Sequence, residues 1–171
     1  MLPESVVSLF VVGDKLEEPL FKCALLYAEH GFNVWFISPQ PFSKFPQGIN
    51  TLDKEILKLI TFLYLKEESD LLLHLNSVHL WHKYPQVIIV DSFEEYCSEN
   101  DIVNAFVMSS VLDASASCAR RSRSKKSYVL VNSSKSYTNL VDMYFPRSLT
   151  FTSEEDLIYV LKNDVNEISI S

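Results

Sequence analysis

The chain has 171 residues, 47% of them hydrophobic and only three of them glycine. That is enough for a single domain with a sizeable core, and it excludes a disordered or collagen-like protein. A formal net charge of −7 argues against broad wrapping around nucleic acid and leaves only a local basic patch for phosphate contacts. Cys23, Cys97 and Cys118 are odd in number and widely spaced with no CxxC pair, which speaks against a disulfide framework or a structural zinc site. The opening residues, Met1 to Ser5, carry no basic segment, and no apolar run approaches the roughly 20 residues of a membrane span. The expectation is an intracellular chain without secretion signal or membrane anchor.

Val6 to Val12 is an apolar, β-branched run ending at Gly13, which predicts a central strand opening into a loop. Leu20, Cys23, Ala24, Tyr27 and Ala28 then repeat at helical spacing, and His30-Gly31-Phe32-Asn33 supplies the stop before a second strand, Val34 to Ser38. This is a βαβ unit, with parallel strands and a right-handed crossover expected. Pro39, Pro41, Pro46 and Gly48 break regularity in a loop at that strand's carboxyl end, a place where such loops are functional or mobile. Within it, Phe42 and Phe45 are flanked by prolines and are candidate anchors for a protein partner. A short amphipathic segment, Leu52 to Lys58, leads to a third strand, Ile60 to Leu65. Glu67 to Asp70 begin a helix with an apolar face of Leu71, Leu72, Leu75 and Val78, expected to run to about Lys83.

The stretch that organises the chain is Val87-Ile88-Ile89-Val90-Asp91. Four consecutive β-branched aliphatics predict a strand buried on both faces, as in the middle of a parallel sheet, with Asp91 at its carboxyl end. The next helix presents Ile102, Phe106, Val107, Ser110 and Val111 and ends near Ala119, followed by the one dense basic cluster: Arg120, Arg121, Arg123, Lys125 and Lys126. Tyr128 to Val131 is another buried strand, and the polar segment Lys135 to Met143 reads as a loop. Leu149 to Thr152 reads as a strand, and Leu157 to Leu161 with Glu167 to Ile170 as a terminal hairpin turning at Lys162-Asn163-Asp164. The acids Glu154, Glu155 and Asp156 leave a helix open for the first of those two segments. The fold class is α/β: a mostly parallel central sheet flanked by helices, with a C-terminal β-hairpin, in a single domain spanning residues 1–171.

Asp91 is placed where open α/β sheets bind ligands, and a Walker-B aspartate uses that position to hold Mg²⁺ beside a nucleotide. The plainer reading is an acid that turns the chain or caps the next helix. The basic cluster, with its interleaved serines, suits phosphate contacts, and its plainer reading is a solvated helix end favoured by the dipole. Lys135 with Tyr137, and Arg147 further on, form a second candidate for backbone contact plus base stacking. His79 and His82 share a helical face but His74 is displaced, and no acid or thiol ligand lies near in sequence, so no metal is assigned.

The order of these strands follows that of a RecA-like ATPase core. More specifically, Val34-Trp35-Phe36-Ile37-Ser38-Pro39-Gln40-Pro41, Val90-Asp91-Ser92-Phe93-Glu94-Glu95-Tyr96 and Tyr144-Phe145-Pro146 resemble the SWIM-domain-associated recombinase paralogues, the small RecA-like subunits of the animal Shu complex. The resemblance spans almost the whole chain and rests on the order and spacing of short motifs. It implies a nuclear accessory factor of homologous-recombination repair. Such a factor forms a heterodimer with a SWIM-type zinc-finger protein, binds single-stranded DNA through the complex, and helps the strand-exchange recombinase assemble or persist. It also implies a core without the N-terminal helical domain of larger recombinases.

The chain departs from that family pattern at the phosphate loop. A Walker A loop needs glycines for close backbone approach, then Lys for the β/γ-phosphates and Ser/Thr for Mg²⁺. After Gly13 this chain reads Asp14-Lys15-Leu16-Glu17-Glu18-Pro19-Leu20-Phe21-Lys22, with Pro19 and Leu20 near the Lys-Ser/Thr positions and three acids that would repel a triphosphate. Where RecA-like ATPases commonly carry a water-activating glutamate, this chain has Pro39 and Gln40, and an amide is no general base. Gly13 and Asp91 are therefore expected to be vestigial, and a non-catalytic subunit without cofactor is expected. The alternatives are an atypical P-loop ATPase using Asp91 for Mg²⁺ with Lys15 or Lys22 as a displaced phosphate lysine, and a doubly wound protein-interaction domain unrelated to recombination.

Overall fold

A computed structural model describes residues 5–41 and 54–166. Six strands form one sheet in the order β3-β2-β4-β5-β1-β6, and every pairing is parallel. The strands are β1 (Val6–Val12), β2 (Val34–Ser38), β3 (Ile60–Tyr64), β4 (Val87–Val90), β5 (Ser127–Ser133) and β6 (Ser148–Thr150). Strands β2, β4 and β5 are buried at every position, which is why they read as continuous apolar runs rather than as alternation.

Side chains still alternate between the two faces of the sheet. Leu9, Val11, Phe36, Ile89 and Leu130 pack on one side against α1 (Glu17–Glu29) and α6 (Glu154–Asn166), with Ile56 and Leu57 of the short α2 (Lys54–Leu57) beside them. Phe10, Trp35, Ile88, Val90 and Val129 face the other way, onto α3 (Glu68–Asn76), α4 (Asp101–Arg121) and α5 (Thr138–Tyr144). The result is a three-layer α/β/α sandwich. Among the described residues α4 is long and apolar enough to cross a membrane by length and composition alone. Its buried face, from Val107 to Ala119, packs in the second core, which accounts for that composition. Asn100 caps its start, its side-chain oxygen accepting from the backbone N–H groups of Ile102 and Val103.

Three elements differ from the sequence expectation. The expected hairpin strand Leu157 to Leu161 is part of α6, in which Leu157, Leu161 and Val165 recur every fourth residue on the buried face. Residues 167–170 lie outside the described residues. The expected loop from Lys135 to Met143 contains α5, a seven-residue helix that buries Val141. The helix expected to reach about Lys83 stops at Asn76, because the Ser77 hydroxyl turns back to the carbonyls of Leu73 and His74. A 3₁₀ turn (Val78–Leu80) and an exposed segment follow, so His79 lies in the turn and His82 beyond it, and the two do not share the helical face expected of them.

Candidate functional site

The carboxyl ends of β1, β2 and β4 surround a cleft of about 440 Å³, at the sheet edge where α/β proteins bind ligands. Among the described residues its lining includes five carboxylates (Asp14, Glu17, Asp91, Glu94 and Glu95) and a single basic residue, Lys15. The loop that opens it is short. Only Asp14, Lys15 and Leu16 separate Gly13 from the first helical residue, Glu17, whereas a Walker A loop places four residues between its two glycines before the lysine.

The backbone of this loop is directed into the fold. The Gly13 N–H donates to the Ser133 carbonyl at 2.9 Å, and the Gly13 carbonyl accepts from the Asn132 amide at 3.1 Å, an amide that also reaches the Val11 carbonyl. A Cβ at Gly13 would lie 2.9 Å from both Leu16 Cδ1 and Phe151 Cβ, so the glycine serves close packing of the loop on β5 and the segment after β6. Pro19 stands in the first turn of α1, where its missing N–H costs nothing, and Leu20 and Phe21 are fully buried in the core. Lys22 is turned away from the cleft and bridges α1 to α6 through Glu154 at 2.6 Å, with Glu18 at 3.8 Å. That hydrogen bond to Glu154 raises its pKa.

Asp91 continues β4 into the cleft and is 7% exposed. Its N–H completes the β2 ladder by donating to the Ile37 carbonyl at 2.8 Å. Its carboxylate accepts from the Ser92 hydroxyl at 3.2 Å and has Ser38 Oγ at 3.5 Å, but that hydroxyl has one proton and a shorter bond to the Gln40 carbonyl at 2.8 Å. Burial pushes the Asp91 carboxyl up to about 6; the Ser92 hydrogen bond opposes this, and the neighbouring carboxylates of Glu17 and Glu94 add to it. Lys15 and Ser92 both hold the left-handed backbone conformation, with φ of 55° each. Glu94 ties the cleft to the chain after β5 by accepting from the Ser134 N–H at 3.2 Å.

The nucleic-acid candidates fall into three places. Arg120 and Arg121 in the last turn of α4, and Arg123, Lys125 and Lys126 between α4 and β5, lie at the amino edge of the sheet, opposite the cleft. Lys135 and Tyr137 follow β5 at the carboxyl edge; Lys135 is exposed, while Tyr137 is half-buried, edge-on to Phe93 and hydrogen-bonded with Cys97. Arg147 does not join them. At the amino end of β6 it holds Asp164 of α6 through two hydrogen bonds of 2.8 and 2.9 Å and donates to the Ser8 carbonyl, clamping helix to sheet. Phe42 and Phe45 lie outside the described residues.

The structure adds neighbours to the basic cluster that the sequence reading placed elsewhere. Arg121 donates to the Trp81 carbonyl at 2.8 Å and the Val78 carbonyl at 3.4 Å and stacks over the Tyr84 ring at 4.3 Å. The Tyr84 hydroxyl returns a bond to the Arg121 carbonyl at 3.0 Å. The segment preceding β4 is thereby locked to the turn preceding β5.

No family model and no curated protein matches the chain. Among solved structures, the flagellar accessory protein FlaH from Methanocaldococcus jannaschii is similar over 90% of this chain and 74% of its own, with a TM-score of 0.53 and 14% sequence identity. At that identity the likeness is one of fold. With six parallel strands, helices on both faces and this structural neighbour, the chain has a RecA-like core.

Proposed function

We propose that the chain is a non-catalytic RecA-like subunit of homologous-recombination repair. In this reading it pairs with a SWIM-domain zinc protein in the nucleus, binds single-stranded DNA as part of that complex, and supports the recombinase filament. The observation that carries the non-catalytic part is the β1–α1 loop. Its glycine amide and carbonyl are both used by β5, it is too short for a Walker A cradle, and it opens on five carboxylates. A triphosphate placed there would meet like charge without a ring of backbone donors. The pairing and the repair role rest on the motif resemblance around Trp35, Asp91 and Tyr144-Phe145-Pro146. The RecA-like core is consistent with them.

Co-expression with the SWIM-domain protein of the same organism, followed by size-exclusion chromatography with light scattering, tests this reading. A stable 1:1 complex is expected, and two independently eluting proteins would remove the repair assignment. The competing ATPase reading draws on Asp91 and Lys15 facing one cleft. It requires thermal stabilisation by millimolar Mg²⁺-ATP that Asp91→Ala abolishes; the proposal expects no such stabilisation.

A further inference from the structure

The amino edge of the sheet carries a surface unlike the rest of this acidic chain. The segment Val78 to Gln86 and the segment Cys118 to Ser127 contain no aspartate or glutamate, and they enter the adjacent strands β4 and β5 side by side. His79, Leu80, Trp81, His82 and Lys83 are all exposed, as are Arg120, Arg121, Arg123 and Lys125. Arg121 and Tyr84 fasten the two segments together through the carbonyl bonds and ring stacking described above. From the other side, Ser127 of β5 donates to the Ser115 carbonyl of α4 at 2.7 Å, fixing where the helix hands over to the strand. Lys125 caps that helix, its ammonium 2.8 Å from the Arg120 carbonyl.

We infer that these two segments form one composite site for single-stranded nucleic acid, with phosphates held by Arg120, Arg123 and Lys126 and a base stacked on Trp81. The inference rests on the DNA-binding reading and places it at the edge opposite the cleft. Trp81 is anchored edge-on against the buried Trp35, with ring centroids 5.3 Å apart, and is still 38% exposed. A rigid aromatic face beside cations on flexible arms is the pairing that single-strand binders use. Arg121 is a positioning residue, since its guanidinium is occupied by the Val78 and Trp81 carbonyls. An anionic membrane suits the patch less well, because the exposed apolar groups, Leu80 and Trp81, sit on a single 3₁₀ turn and its flank rather than along an interfacial helix.

The test is fluorescence anisotropy of a labelled oligothymidylate of about 30 nucleotides with the full chain, between about 50 and 200 mM salt. The triple variant Arg120→Gln, Arg123→Gln, Lys126→Gln is expected to weaken binding and to lower the slope of log affinity against log salt by about 2, at about 0.7 for each phosphate left without its cation. Trp81→Ala is expected to weaken binding about tenfold with the slope unchanged. In an Arg121→Gln background the Trp81→Ala effect is expected to shrink, because the ring is no longer held in place. Lys135→Gln, at the opposite edge, is expected to leave affinity and slope as they were. Binding by the wild type that the triple variant and Trp81→Ala leave intact would overturn the inference and leave the DNA-binding reading standing. No binding by the chain alone also overturns it, and the co-purified complex then tests the broader reading separately. Sedimentation with phosphatidylserine vesicles that depends on these same residues, without DNA binding, would assign the patch to a membrane instead.

Discussion

Replacing Asp91 by asparagine should make the protein more stable, and the gain should depend on pH in a defined way. The Asp91 carboxyl is raised from 3.8 to about 6 in the folded chain, chiefly by burial. The folded state therefore holds this proton more tightly than the unfolded state, and stability falls as pH rises through that interval. From those two values the penalty is about 0.5 kcal/mol at pH 4, about 1.5 at pH 5 and about 3 once the pH is well above 6. Asparagine has no charge to desolvate and can keep the acceptor that Ser92 uses. Urea unfolding of both proteins at pH 4, 5 and 8 is the assay. The difference in unfolding free energy should grow from about 0.5 kcal/mol at pH 4 to about 3 kcal/mol at pH 8, in favour of Asp91→Asn. A variant that is less stable at pH 8, or a difference that does not change with pH, would refute the argument that desolvation governs this site. It would also return Asp91 to consideration as a carboxylate the fold requires in its charged form.

Other outcomes follow from contacts already described. Arg147→Met should cost about 1–2 kcal/mol by thermal unfolding, because the pair with Asp164 is partly exposed but bidentate. Oligothymidylate affinity, corrected for the folded fraction, should not change. Gly13→Ala should destabilise by about 1–3 kcal/mol in chemical denaturation through the two 2.9 Å approaches to Leu16 and Phe151. A reconstruction of the phosphate-loop residues, Pro19→Lys with Leu20→Ser, should yield no nucleotide-dependent thermal shift. It should lose about 3–5 kcal/mol of stability, because Leu20 is a fully buried core residue of α1.

The parallel sheet was legible because its strands are buried on both faces. Runs such as Val87-Ile88-Ile89-Val90 have no competing helical period, and the β1-α1-β2 unit announced itself by a change of period between Val12 and Val34. At α6 the sequence points two ways: Leu157-Ile158-Tyr159-Val160-Leu161 has strand composition, which favours a hairpin over the helix that the preceding acids leave open. The spacing of Leu157, Leu161 and Val165 and the three acids before them carried the correct signal. Helix α5 gave almost none: it buries a single residue, and the residue before it, Tyr137, is left-handed and makes no side-chain cap. At the carboxyl edge, the sequence identified Asp91 and the missing phosphate-loop residues. That Gly13 turns its polar groups toward β5 depends on Asn132, more than a hundred residues away, and no local pattern encodes it. The companionship of Trp81 with Arg121 was hidden for the same reason. A helix extended to Lys83 would have carried Trp81 along its own axis, whereas the Ser77 stop releases it to meet the far end of α4.

The acidic cleft and the basic turn lie at opposite ends of the central strand β4, separated by about 13 Å of it at the usual rise per residue. The molecule thus has an electrical axis parallel to its sheet, even though its total charge is negative. Far from a polyanion it is repelled as a whole. On the proposed nucleic-acid reading, the field at closer range would turn it so that the positive end leads, selecting one docking orientation before any contact forms. Added salt should shorten the reach of both effects, and the capture rate would then respond to ionic strength with a different sensitivity from the release rate.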